Sequence, residues 1–87
     1  MPLKKREFYE MRAKSLIKEL REKKHLSYKQ LALRLEAEGV NIDAQVLINR
    51  VNQGKFSFVF ALQLLAAMGV DTLEVPKVHK STPKKLT

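Results

Sequence analysis

No cysteine and no tryptophan occur among these 87 residues. The missing thiols exclude disulfides, thiolate zinc sites and cysteine nucleophiles, and they suit a reducing, cytoplasmic setting. Glycine is scarce: Gly39, Gly54 and Gly69 stand alone, with none of the clustering a phosphate-cradling loop needs. Histidine is limited to His25 and His79, too far apart to give a metal-ligand spacing. Long apolar runs are absent too. The longest stretch free of charge, Phe56 to Val70, holds 15 residues and includes Ser57 and Gln63, short of the roughly 18 that a membrane span requires. The Lys4-Lys5-Arg6 start has no apolar run after it, so no secretory signal is expected.

The same scarcity argues against catalysis. A Ser-His-acid set would have to use His25 or His79, but Ser27 beside His25 is explained as a helix cap and His79 lies in the tail. Glu36 and Glu38 project from different sides of one helix, which makes them a solvated end and not an acid/base pair. The expectation is a protein that is no enzyme, with no cofactor and no metal.

What is present in excess is positive charge, +8 in all. Its distribution matters more than its sum. Residues 1–6 carry three positives and residues 76–87 carry four, with no acid in either, whereas residues 7–75 have ten positives against nine negatives. The chain therefore divides into a basic N-terminal end (1–6), a nearly neutral folded domain (7–75) and a basic tail (76–87) whose Lys-Ser-Thr-Pro composition predicts disorder. A domain this small buries only about 60% of the surface its unfolded chain exposes, so every apolar residue is expected to be used.

Within the domain the apolar spacing is helical throughout. Tyr9, Ala13, Leu16, Ile17 and Leu20 recur at steps of three and four, predicting helix 1 over Arg6 to Lys24. Ser27 with Gln30 forms a capping-box pattern, and Leu26 with Leu31 a hydrophobic staple, opening a helix 2 that stops near Gly39. Asp43 caps helix 3, with Ile42 and Leu47 as a second staple; Ala44, Leu47, Ile48 and Val51 face inward and Gly54 ends it. Ser57 caps helix 4, Phe58 to Met68, stopped by Gly69. Helix 4 is apolar on nearly every side, so it must be central or take part in a subunit contact, and Phe8, Phe56, Phe58 and Phe60 look like core. Leu73 to Val75 is expected to form a short extended segment.

Helix 3 leaves Gln45, Asn49, Arg50, Asn52 and Gln53 outward. Side-chain amides offer a donor and an acceptor together, matching adenine N6 and N7, and a guanidinium can fork onto guanine O6 and N7. Polar residues on an exposed helix are equally what a plain wet face requires, so context decides.

That context is a resemblance. The runs Leu-Arg-Glu-Lys-Lys-His-Leu-Ser-Tyr-Lys-Gln-Leu-Ala (20–32), Ile-Asn-Arg-Val-Asn-Gln-Gly-Lys (48–55) and Ala-Leu-Gln-Leu-Leu-Ala-Ala-Met-Gly-Val (61–70) resemble the Cro and phage-repressor (XRE-like) helix-turn-helix domains. They also look like a small bacterial family of that kind with no assigned function. The resemblance implies an all-α fold of four to five helices, with a lengthened turn between helices 2 and 3 because Ala32 to Ile48 is sixteen steps where that family has about ten. It implies that Gln45, Val46, Asn49 and Arg50 read bases, while Tyr28, Lys29 and Lys55 hold phosphates; Asn52, on the same stripe, joins the phosphate group. The function expected is sequence-specific binding of double-stranded DNA by a small homodimeric regulator, with helix 4 and Leu73 to Val75 as candidate dimer surfaces, most of whose residues a plain core would equally explain. Two alternatives stand beside it: a protein-interaction adapter on the same fold, and a non-specific nucleic-acid binder driven by the lysine-rich ends.

Overall fold

The computed structural model describes residues 5–73. They form four helices, α1 (Lys5–Lys23), α2 (Tyr28–Ala37), α3 (Ala44–Gln53) and α4 (Phe58–Met68), and no strand occurs among them. The proposed disordered tail and His79 lie outside the described residues, as do Glu74 and Val75 of the extended segment. Leu73 is in irregular backbone. The helix starts are local chemistry. Ser27 Oγ accepts the Gln30 amide at 3.0 Å while Gln30 Oε1 accepts the Ser27 amide at 2.8 Å, closing the capping box. Asp43 Oδ1 accepts the Val46 amide at 2.9 Å and Ser57 Oγ the Phe60 amide at 3.0 Å.

The helix ends are equally local. After α1 the His25 amide donates to Glu22 O (3.0 Å) and the Leu26 amide to Arg21 O (3.2 Å), the paired bonds of a Schellman stop. His25 holds the left-handed position with φ 55°, where glycine would be unstrained. Gly39 and Gly69 end α2 and α4 with the same pair of bonds. α1 begins at Lys5 and so takes in Arg6, whose Nε donates to Glu10 Oε2 at 3.0 Å one turn on.

One core joins the helices. Leu31 and Leu35 of α2, Leu47 and Val51 of α3, and Leu64 and Met68 of α4 are shut off from solvent, with Ile17 of α1 and Leu26 beside them. α2 packs on both α3 and α4, while α1 packs on α3. Both staples close: Leu26 and Leu31 are buried together, and Leu47 is buried with Ile42 packed against the core. The α2–α3 connection, 38–43, is six residues, against the three or four of an ordinary helix-turn-helix turn. It is anchored by the Val40 amide on Leu35 O (2.9 Å) and by Val40 and Ile42 against the core. Polar ties link α4 to α2. Gln63 Nε2 donates to Glu38 O (3.2 Å) and Arg34 Nη1 to Ala67 O (3.4 Å), each satisfying a carbonyl near a helix end.

Two expectations fail here, both about burial. Only Phe60 of the four phenylalanines is core; Phe8 and Phe56 are half-buried, and Phe58 is 77% exposed. Nor is every apolar residue used, since Val59 is 65% and Leu62 49% exposed beside Phe58. The reason is geometric. α4 packs principally against α2, so the side carrying Phe60, Leu64, Ala67 and Met68 is covered and the opposite side is not.

Candidate nucleic-acid interface

α3 is held from two directions. Leu47 and Val51 are buried, with Ala44 and Ile48 half-buried beside them, and the helix lies against α1 and α2. Its C-terminal end is fixed by a close approach: Gly54 is buried with φ 65°, and a Cβ there would run into the Glu10 carbonyl of α1. Only glycine accommodates both the backbone conformation and the contact. The remaining side of α3 faces water with Gln45, Val46, Asn49, Arg50, Asn52 and Gln53 all exposed. No carboxylate lies between Ala44 and Gln53.

Within that face the residues separate into two groups. Gln45 Nε2 donates to Asn49 Oδ1 at 3.3 Å, so the two amides expected on one stripe do meet. Asn52 continues this side three residues on. Arg50 lies about 140° round the helix from Gln45 at 3.6 residues per turn, and its guanidinium sits over the Phe60 ring, 4.8 Å from the centroid. This cation–π contact directs Arg50 towards α4, and Phe56 packs edge-on to the same ring, 6.0 Å away. Val46, 45% exposed, and Gln53 are the other outward positions. Gln53 belongs to the crest with Val46 and Asn49 by the same helical period, a signal present in the spacing alone.

The expected phosphate contacts are placed differently from one another. Lys29, in the first turn of α2, and Lys55, just past Gly54, are exposed. Tyr28 is half-buried, packed against the core with the Arg21 guanidinium 4.2 Å over its ring. Arg21 Nη1 also donates to Leu26 O, at 2.6 Å. Tyr28 thus ties the end of α1 to the start of α2, a structural duty that the sequence pattern did not reveal. Among the described residues no group of three or more His, Cys, Asp or Glu converges on a possible metal site, and no described helix is long and apolar enough to cross a membrane.

Residues 9–73 match the family model described as Domain of unknown function (DUF6471). The chain belongs to this family. The match spans the four-helix unit from Tyr9 of α1 to Leu73, so the DUF6471 domain includes both the α3 face and α4. No curated protein and no solved structure matches the chain. Family membership agrees with the expected small family of unassigned function, and it carries the Cro and repressor resemblance no further.

Proposed function

We propose that this DUF6471 domain is a non-catalytic, sequence-specific reader of double-stranded DNA, a small cytoplasmic regulator that inserts α3 in the major groove. The carrying observation is the outward face of α3: six exposed side chains, amide-rich and free of carboxylates, on a helix pinned by α1 and α2. A face without acids does not repel phosphates, and amides on a rigid helix can meet base edges directly. The resemblance of residues 20–32, 48–55 and 61–70 to Cro and repressor domains supports the same reading. In it Gln45, Val46 and Asn49 face bases. Arg50, leaning towards α4, sits at the edge of the contact, while Lys29, Lys55 and Asn52 flank it as phosphate contacts.

A lone small module binds weakly, and repressors gain affinity by two-fold pairing on half-sites about one helical turn apart. The uncovered side of α4 is the natural pairing surface, because Phe58, Val59 and Leu62 are exposed and no charge falls between Phe56 and Val70. That same surface favours a second reading, an adapter that binds a protein partner through α4 and never reads DNA.

Selection of duplexes from a random pool by the full chain and by residues 1–75, at near-physiological salt, tests the proposal. Recovery of one motif by both supports a reader, and an inverted repeat supports the dimer. Binding that disappears with the tail would mean charge-driven attraction alone, and no binding to any duplex would favour the adapter.

A further inference from the structure

The uncovered side of α4 has an internal symmetry. Its outward residues are Phe58, Val59, Leu62, Leu65 and Ala66, of which Leu65 is half-buried and the others are exposed. They stand four and three positions before Leu62 and three and four after it, so the face reads alike in both directions. At about 100° per residue, Phe58 and Leu65 fall on one flank of Leu62, and Val59 and Ala66 on the other. Each flank therefore carries one larger and one smaller side chain. Nothing polar interrupts the face: Gln63, at its border with α2, spends its amide on Glu38 O (3.2 Å), and Ser57 spends its hydroxyl on the Phe60 amide. Charge sits beyond the ends of the helix, with Lys55 before it and Asp71 after it, both exposed.

Resting on the two-fold pairing proposed above for this face, but not on DNA binding, we infer that a second copy of the chain covers it as an antiparallel α4–α4 pair with Leu62 on the two-fold axis. An antiparallel two-fold turns each flank onto the same flank of the other copy. Phe58 then meets Leu65 of the second copy and Val59 meets Ala66, larger against smaller on both flanks, with Leu62 against Leu62. The ends agree with this orientation. Antiparallel helices set a positive N-terminal end beside a negative C-terminal end, and Lys55 at the same end as Asp71 of the second copy. That attraction acts through solvent and leaves Lys55 open to a phosphate. A parallel pair would set like ends together. A foreign partner would have to bring a face equally free of charge and hydrogen-bonding groups, which a second copy supplies by symmetry. One short helix from each copy makes a contact at the small end of specific interfaces, so the pair is reversible and not permanent.

The chain has no cysteine, so introduced thiols can pair only with one another. The test uses the full-length chain as Leu62→Cys, Val59→Cys, Ala66→Cys and the double variant Val59→Cys/Ala66→Cys, with thermal melts confirming that each is folded. Each is oxidised at micromolar concentration without DNA and read on non-reducing gels. A disulfide needs Cα atoms within about 7 Å. Two copies of residue 62 face each other on the axis, whereas two copies of residue 59 are displaced by about 9 Å along the helices and two copies of residue 66 by about 12 Å. The expected result is a covalent dimer from Leu62→Cys and from the double variant, roughly tenfold more than from Val59→Cys or Ala66→Cys alone. Cross-linking by Val59→Cys alone, or by Leu62→Cys without the double variant, would overturn the antiparallel register. No dimer from either Leu62→Cys or the double variant would overturn the second copy as occupant and favour a foreign partner. In that case a motif recovered by duplex selection would still leave DNA reading standing.

Discussion

The outward faces of α3 and α4 are both open to water, yet they are built from opposite chemistry. On α3 the exposed side chains are Gln45, Asn49, Arg50, Asn52 and Gln53 with Val46 among them, and two of the amides hold each other. On α4 they are Phe58, Val59 and Leu62, with Phe58 77% exposed. A polar face is at ease in water and can wait for a ligand. A clustered apolar face gains free energy from being covered, by about 25 cal/mol for each Å² removed from water, and such patches mark interaction sites. The contrast matches the two tasks proposed above, recognition for α3 and association for α4, and the Arg50–Phe60 contact joins the two helices physically.

The largest expected effect falls on the joint beneath both faces. Gly54→Ala forces a left-handed alanine against the Glu10 carbonyl, and it should lower stability by about 3 kcal/mol, the sum of backbone strain and steric displacement. Urea unfolding checks this; an unchanged midpoint would show that α1 is free to move off α3, leaving the outward face of α3 less firmly held.

Phe58→Lys sharpens the comparison from the α4 side. If a second copy covers Phe58, one charged substitution should weaken self-association by about 2 kcal/mol, as loss of an interface hot spot does, with the melting temperature of the monomer nearly unchanged. Sedimentation equilibrium across micromolar concentrations reads this directly. Identical monomer masses for both chains, with and without DNA, would remove self-association from α4's duties.

The corresponding change on the α3 side is Lys55→Ala. It should weaken binding to every duplex alike and reduce the salt slope by about 0.9, the signature of one lost phosphate contact. A change in preferred sequence would move Lys55 from the flank to the reading surface.

The smallest effect concerns neither face. His25→Gly relieves a left-handed non-glycine residue, φ 55°, although the added freedom of the unfolded chain offsets part of the gain. A net stabilisation of about 0.5 kcal/mol is expected, visible as a small rise in melting temperature, with DNA binding and association both unaltered.

Much of this architecture was legible residue by residue. The caps at Ser27, Asp43 and Ser57 and the stops at Gly39, Gly54 and Gly69 lie where the spacing puts them, and α4 runs from Phe58 to Met68 as expected. The i, i+4 spacing of Gln45 and Asn49 puts them on one stripe, where their hydrogen bond joins them. Tyr28 was harder to place. Its commitment to Arg21 depends on how the end of α1 turns back, and nothing in the local pattern distinguishes it from a tyrosine open to a phosphate. Phe58 departs from the core expected of it for the converse reason, because hydrophobicity states a demand for cover and is silent on whether a neighbour is there to meet it.

By itself the sequence determined where α2, α3 and α4 begin and end, since a cap is a hydrogen bond between residues three apart and a stop is a backbone preference of one or two positions. It also determined the inward stripe of α3. The tertiary structure alone decided which side of α4 is covered, that Arg50 lies over Phe60, and that Gly54 is closed on by Glu10 forty-four positions earlier. Those outcomes arise where helices distant in sequence meet, and the geometry of their packing is set by the whole core at once.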